Sequence, residues 1–255
     1  LSHRARPSYI PEVIAYVRSK MKSEPQFNVV EIGSGTGIFT QALLTHPDWT
    51  LAIKKLQAIE PSEGMRNTFS ENVKDERVSV REGAFDSTEI DDGWADIVLI
   101  AQAFHWCPDY DRASAEFARI LKPTGIVAMV WNLEDRERAR WVAQVRDRVE
   151  SHEAGTPQFR LMKWRQTFKT VSYSQFFDSP EETTWPVVFP ATRSTVIDRA
   201  CSKSYIAVLD EQEKERVKRD VEEIVERGED KVWIDEHAGV FEYPYKTWLV
   251  IASKK

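Results

Sequence analysis

Apolar residues recur along this chain in two alternating periods. Ile10, Val13, Ile14, Val17 and Met21 fall on one helical face, and Pro11 sits where a first helical turn tolerates it. Phe27-Asn28-Val29-Val30-Glu31-Ile32 reads as a short buried strand, stopped by the turn Gly33-Ser34-Gly35-Thr36-Gly37. Phe39, Ala42 and Leu43 then give the next helix its apolar face. The alternation continues with a strand over 51–60 and a helix over 62–73. Val78 and Val80 mark a third strand, Ala95–Ala101 a fourth, followed by a helix over 111–121. Lys122-Pro123-Thr124-Gly125 ends that helix, and a fifth strand covers 126–131. Strands that are apolar throughout and alternate with helices predict an α/β fold, a doubly wound parallel sheet covered on both faces.

The character changes after Asn132. Residues 133–176 are charged and aromatic, with Trp141, Val142, Val145 and Val149 on one helical stripe. Thr184–Phe189 predicts a sixth strand, and Pro186 puts it at an irregular or edge position. A helix over 211–228 carries a narrow stripe of Val217, Val221, Ile224 and Val225 on an otherwise charged surface. Thr247–Ser253 reads as the last strand. The expected organisation is a sheet core of residues 1–133 and 240–255. Residues 134–239 are expected to form helical cap insertions, with one core strand near 184–189. Open α/β sheets bind ligands at the carboxyl ends of their strands, so the insertions are expected to cap that edge. Trp141, Trp164 and Trp185 fall in or beside them, better suited to stitching a thin cap together than to lining a pocket.

Composition narrows the function. The chain has 255 residues, 42% hydrophobic and 30% charged, which suits a soluble domain with insertions. No apolar stretch approaches the roughly 18 residues of a membrane span, and residues 1–7 carry Arg4 and Arg6 without the hydrophobic run of a signal peptide. A formal charge of −6 argues against a nucleic-acid partner, whose binding needs a basic face. Two cysteines, Cys107 and Cys201, offer no paired zinc spacing and suggest a cytoplasmic protein with free thiols. His3, His152 and His237 lack ligand-like spacing and His46-Pro47-Asp48 reads as a loop, so no metal is expected.

Candidate chemistry begins at Glu31-Ile32-Gly33-Ser34-Gly35-Thr36-Gly37. Glycine lets the backbone turn sharply and a ligand approach without a Cβ in the way. The spacing is Gly-x-Gly-x-Gly, and position 38, where a dinucleotide fingerprint wants a third glycine, is Ile. Glu31 would repel a pyrophosphate and suits a cationic ligand. Glu60, ending the second strand, can accept two hydrogen bonds from a ribose diol. Two carboxylates and no phosphate-binding lysine point away from a phosphorylated cofactor.

These residues resemble the class I S-adenosylmethionine-dependent methyltransferases, above all the methyltransferase type 11 group, which includes trans-aconitate methyltransferase-like small-molecule enzymes. The likeness is carried by Arg6-Pro7-Ser8-Tyr9, Glu31 to Gly37, Glu60-Pro61-Ser62-Glu63-Gly64-Met65, Ala101 to Trp106 (AQAFHW), Leu121-Lys122-Pro123 and Val130-Trp131-Asn132. In the cap it is carried by Ser202-Lys203-Ser204-Tyr205. The resemblance implies a Rossmann-like sheet of seven strands, mostly parallel with an antiparallel last strand, and S-adenosyl-L-methionine as cofactor. It implies that Gly33, Gly35 and Gly37 border the methionine part, Glu60 holds the ribose, and Met65 and Phe85 pack on adenine. Glu31, Pro61, Ala84 and Gln102 join them as cofactor-binding residues. One departure stands out. The family carries an acidic residue after the glycine that follows the third strand, whereas Gly83 here precedes Ala84 and Phe85, leaving Asp86 or backbone groups to contact adenine.

Methyl transfer from a sulfonium is an in-line displacement with a neutral leaving group, so alignment and exclusion of water matter most. A carboxylate acceptor needs no base, whereas a phenol, alcohol or amine would call on His105, just past the fourth strand. His105 is the candidate catalytic residue; a hydrogen-bonded structural histidine is the alternative. Tyr9, His105, Trp106, Trp131, Arg199, Ser202 and Tyr205 are the candidate acceptor-binding residues. If 199–205 is helical, Arg199, Ser202 and Tyr205 share a face and present a guanidinium fork to a small acid. The competing fate of Arg199 is an ion pair with Asp198 or a nearby glutamate. The reading is a small-molecule methyltransferase acting on an oxygen such as a carboxylate. Thiol or amine transfer, a dinucleotide-dependent oxidoreductase and a non-catalytic cofactor-binding protein are its rivals.

Overall fold

Buried apolar side chains, mostly β-branched or leucine, line up at the centre of a sheet. In the computed structural model, which describes residues 8–22 and 24–255, these are Val29, Val30 and Ile32, then Leu56 and Ile59, Ile97 to Ile100, and Ile126 to Val130. Each fully buried aliphatic side chain of this size contributes about 1.5–3 kcal/mol. The strands are β1 (Phe27–Ile32), β2 (Ile53–Ile59), β3 (Val78–Arg81), β4 (Ala95–Ala101), β5 (Leu121–Glu134), β6 (Glu181–Ala191), β7 (Trp233–Asp235) and β8 (Val240–Ser253). Helices α1 (Pro11–Ser19), α2 (Ile38–Thr45), α3 (Glu63–Asn72) and α4 (Tyr110–Ile120) alternate with the early strands. After β5 come α5 (Arg140–Glu150), α6 (Arg193–Cys201) and α7 (Glu211–Arg227).

Strand order is β3-β2-β1-β4-β5-β8-β6, with β7 paired to β8 outside that path. β1 pairs in parallel with β2 and β4, and β4 in parallel with β5. β8 runs the other way. Gly125 accepts from the Lys254 N–H at 2.9 Å, while the Asp135 N–H donates to Pro244 at 2.9 Å, so rising numbers on β5 meet falling numbers on β8. The seven expected strands are therefore joined by one more, the three-residue β7, which pairs antiparallel with β8. β6 lies at the sheet edge, as Pro186 implied.

Several boundaries differ from the sequence reading. The second strand begins at Ile53, because Leu51 lies 81% exposed in the preceding turn. Lys122-Pro123-Thr124-Gly125 continues β5 instead of ending a helix in a turn, and β5 runs on to Glu134. His46-Pro47-Asp48, read as a loop, starts a one-turn helix, with the His46 Nδ1 accepting from the Asp48 N–H at 3.2 Å.

The chain forms two compact units. The first comprises residues 8–131, 157–183 and 248–255 and contains the sheet core. Trp164, fully buried, belongs to it and packs on Phe159 and Trp131. The second comprises, among the described residues, 132–156 and 184–247. Its core is the buried stripe Val217, Val221, Ile224 and Val225 of α7 together with Val142 and Val145 of α5. Trp141 is fully buried edge-on against Phe241 at 5.5 Å. Ion pairs flank that stripe, including Asp220 of α7 to Arg148 of α5 at 2.5 Å. No helix among the described residues is long and apolar enough to cross a membrane.

Candidate active site

The site grows out of the carboxyl ends of β1, β2 and β4, all in the first unit. β1 delivers the chain into the glycine turn, where the Gly33 N–H donates to the Ile59 carbonyl at 2.8 Å and holds the turn against the end of β2. Gly33 and Gly35 have φ of +72° and +56°, a left-handed backbone that L side chains rarely adopt. A Cβ on Gly33 would stand 2.5 Å from the Ala103 Cβ, so close approach of the β4 loop demands glycine there. A Cβ on Gly35 would meet nothing within 4 Å. That open space above a tight turn is a cradle. Gly37 forms the N-terminal cap position of α2.

Glu60 is 5% exposed and ties two loops together. Its Oε2 accepts from the Gly35 N–H at 2.9 Å and its Oε1 from the Ser62 N–H at 3.0 Å. Each oxygen keeps a further lone pair for a ligand hydroxyl. The segment is braced by Arg66, whose guanidinium donates to the carbonyls of Glu60 at 2.8 Å and Pro61 at 2.7 Å. Pro61 is exposed, and Met65, 42% exposed, sits in the first turn of α3. The Ser62 hydroxyl caps that turn.

Glu31 is 1% exposed. The Thr40 hydroxyl of α2 donates to its Oε2, while Oε1 is buried with no partner, as is the Ser34 hydroxyl in the same turn. Burial pushes the Glu31 carboxyl up to about 8, and the neighbouring Glu60 adds to this against the Thr40 bond. Orphaned polar atoms beneath an open glycine cradle fit a cationic ligand, which would supply charge to offset the buried carboxylate.

Phe85 packs edge-on against Phe104 at 5.7 Å and lies 3.8 Å from where a Gly33 Cβ would stand. Ala84 is exposed and pairs with Ser87 in a tight turn, its N–H donating to the Ser87 carbonyl at 3.0 Å. Asp86 is drawn into an ion pair with Arg112 at 3.1 Å, which commits the carboxylate considered for adenine. Gln102 has φ of +55° and donates its N–H to Val130 at 2.8 Å, a strained backbone just past β4. Tyr9 packs edge-on against Phe39 of α2 at 4.6 Å. Arg6 and Pro7 lie outside the described residues.

His105 follows in the turn Phe104–Trp106. Its Nδ1 accepts from the Trp131 indole N–H at 3.3 Å, an arrangement that leaves its proton on Nε2. Burial pulls the imidazole down to about 4, so the titration near neutral pH expected of a catalytic base is moved well below it. Trp106 is 45% exposed beside it. Trp131 is fully buried and stacked on Phe159 at 4.7 Å, with its indole N–H spent on His105.

In the second unit, the acid-binding face expected from the cap is spent internally. Arg199 is 9% exposed, its Nε 3.1 Å from Glu134, and its Nη1 donates to Ser202 at 3.3 Å. The Lys203 ammonium also meets Glu134, at 2.8 Å. Burial pushes the Glu134 carboxyl up, but Lys203 and Arg199 outweigh it and hold that group well below the usual carboxylate range. Tyr205 is buried in the same unit, and the Ser202 hydroxyl donates to the Arg199 carbonyl at 2.8 Å. The guanidinium fork is an internal ion pair, not an open receptor for an acid.

Thr40, Ser62 and Ala103 had no role in the sequence reading, although Ser62 and Ala103 lie in segments that carry the resemblance. Thr40 had a signal, a polar residue in the apolar register between Phe39 and Leu43. Ala103 had none, since its part is to leave room for Gly33. Both cysteines are free, and the Cys107 thiol, pushed up to about 12 by burial, is inert. No acidic, histidine or cysteine cluster suited to a metal occurs among the described residues.

Comparison with known proteins decides the family. A family model described as a methyltransferase domain matches residues 30–129, the stretch that holds the glycine turn, Glu60 and His105. Residues 30–129 are thus a methyltransferase domain of the class I S-adenosylmethionine-dependent kind. Its cofactor is accordingly S-adenosylmethionine. An uncharacterised methyltransferase-like protein of Schizosaccharomyces pombe is 27% identical over 225 residues, 86% of this chain and 81% of that protein. An uncharacterised methyltransferase of Mycobacterium bovis is 33% identical over 142 residues, 56% of this chain and 53% of that protein. The crystal structure of the Bacillus subtilis YcgJ protein shares the methyltransferase's fold with a TM-score of 0.57 at 18% identity, over 96% of this chain and 98% of that one.

Proposed function

We propose that this methyltransferase acts on a small molecule, at an oxygen already ionised at neutral pH, a carboxylate first among them. The observation that carries this reading is His105. Its Nδ1 is occupied by the Trp131 N–H and burial pulls it down to about 4, so it is a poor proton acceptor at pH 7. A carboxylate acceptor needs no base, whereas an ammonium, phenol or alcohol must lose a proton. The Nε2–H of His105 remains a donor able to orient an acceptor oxygen.

When bound, the cofactor supplies a methyl group on a cationic sulfur. On this reading Gly33 to Gly37 hold its methionine part, Glu60 accepts from the ribose hydroxyls, and Met65 and Phe85 flank the adenine. Gln102 and Ala84 border it. A small acceptor is favoured over nucleic acid by the formal charge of −6, since neutralising a phosphate backbone needs a basic face.

The test is methyl transfer from isotope-labelled S-adenosylmethionine to matched carboxylic acids, amides, amines and thiols, read by mass spectrometry. Labelled methyl esters are expected. Labelled thioethers or methylamines without esters would overturn the carboxylate reading.

A further inference from the structure

Among the described residues, large exposed apolar side chains are scattered singly except at Val232, Trp233 and Ile234, which are 52%, 42% and 53% exposed. Single ones are ordinary, whereas a run of three on a strand calls for a partner. The run belongs to β7, which among the described residues is hydrogen-bonded in the sheet to β8 alone. The Glu242 N–H donates to the Val232 carbonyl at 2.8 Å, and Trp233 stands opposite Phe241. Backbone groups alternate in direction along an antiparallel ladder, so the Trp233 N–H and C=O point away from β8, toward the open edge. Natural sheets guard such an edge with a lysine, a proline or an inward charge. Here the charges stand outside the apolar run, Lys231 before it and Asp235 after it.

We propose that β7 is a self-pairing edge, where two copies of this chain join in a two-fold antiparallel ladder centred on Trp233. The sequence Lys231-Val232-Trp233-Ile234-Asp235 complements its own reverse. With Trp233 on the two-fold axis, Val232 of one copy faces Ile234 of the other, and Lys231 faces Asp235, each contact occurring twice. The residue on the axis is the one whose N–H and C=O point outward, so the two copies exchange both hydrogen bonds there. A register one step over sets Asp235 against Val232 or Asp230 instead. The Lys231 ammonium lies over the Trp233 ring at 4.8 Å and donates to the Val225 carbonyl, which fixes the cation beside the axis. An extended peptide of another protein also fits an open edge, but this strand supplies its own charge complement, which favours a second copy. Length limits the strength. The ladder shifts register past Trp233, and the Asp235 Oδ1 accepts from the Ala238 N–H at 3.0 Å as the chain turns, so the three residues of β7 set its extent. An interface of this size gives a weak, reversible dimer.

Sedimentation velocity of the full chain over roughly 1–500 μM reads the assembly, and a monomer–dimer equilibrium is expected. Val232→Lys/Ile234→Lys sets ammonium groups against each other across the ladder and is expected to weaken the dimer by about tenfold or more. Val232→Lys/Ile234→Glu restores complementarity in the same register and is expected to return the affinity to within about threefold of the wild type. Both positions are more than half exposed, so thermal unfolding of the two variants should match the wild type. Should either fail to fold, Trp233→Cys decides. Its thiol meets its own copy across a hydrogen-bonded pair, with Cα atoms about 5.5 Å apart and within disulfide reach, so mild oxidation is expected to cross-link the dimer. Ile234→Cys, off the axis, is expected to stay uncross-linked, as is the wild type with its partly exposed Cys201. A chain that is monomeric throughout overturns the inference and leaves the edge to a strand from another protein. A dimer that Val232→Lys/Ile234→Lys leaves intact, or that Val232→Lys/Ile234→Glu fails to restore, overturns it too, because assembly then runs through another surface or another register.

Discussion

The Gly35 N–H donates to the Glu60 Oε2 at 2.9 Å, so the glycine turn after β1 and the acidic end of β2 are a single hydrogen-bonded piece. A carboxylate expected at an exposed strand end is 5% exposed and structural as well as available to a ribose. Charge-assisted bonds of this kind contribute about 1.5–3 kcal/mol each.

Glu60→Ala is therefore expected to do two things. Cofactor affinity should fall by roughly 10- to 150-fold, and the fold should lose about 1–3 kcal/mol because the Gly35 and Ser62 N–H groups lose their acceptor. Calorimetry and denaturant unfolding measure the two effects. An unchanged dissociation constant would reduce Glu60 to a loop brace.

Gly33 and Gly35 should separate stability from binding. Gly33→Ala forces a Cβ to 2.5 Å from Ala103, so it should destabilise the fold beyond the roughly 1–2 kcal/mol of left-handed strain. Gly35→Ala carries the strain alone, yet its methyl enters the open cradle, so binding should suffer more than stability. Thermal unfolding beside calorimetry distinguishes them. Equal stability loss with normal binding in both would argue against a cradle at Gly35.

His105 should not titrate in the physiological range. Its folded value near 4 lies below the unfolded one near 6.5, so the unfolded state binds more protons between them, and the His105 contribution to stability falls as pH drops from about 6.5 to 4. The imidazole NMR shifts of His105 should stay flat from pH 8 down to about 5. A midpoint near 6.5 would restore the general-base reading. His105→Gln, which keeps a donor, should preserve more turnover than His105→Ala.

The parts of this account legible in the sequence are those set by local pattern. The alternation of apolar runs and helical faces marked the parallel strands, and the glycine turn with Glu60 marked the cofactor side. What could not be read was who pairs with whom across the fold. Arg199 and Glu134 are 65 residues apart in the chain, and Trp131 meets His105 across 26, so no spacing rule could turn Arg199 from a receptor into an ion pair or join Trp131 to His105. Burial of Glu31 and Glu60 was hidden for the same reason: a residue at a strand end is exposed or enclosed by loops that come from elsewhere.

Arg199 should behave as a structural residue of the second unit. Arg199→Leu leaves Glu134 the Lys203 ammonium and the Tyr245 hydroxyl, and its cost should lie toward the lower end of the roughly 3–5 kcal/mol for breaking a buried ion pair. Glu134→Gln strands two buried cations and should cost more. Chemical denaturation of both variants checks the order. A stable Arg199→Leu protein with weakened affinity for acidic acceptors would revive the acid-binding cap.

The central claim is that the Gly33–Gly37 turn and Glu60 form a site for a sulfonium nucleoside, and titration calorimetry of the wild-type protein tests it most directly. S-adenosylmethionine and S-adenosylhomocysteine should both bind, with NAD showing no binding at millimolar concentration. Binding of NAD with neither adenosyl ligand would contradict the account.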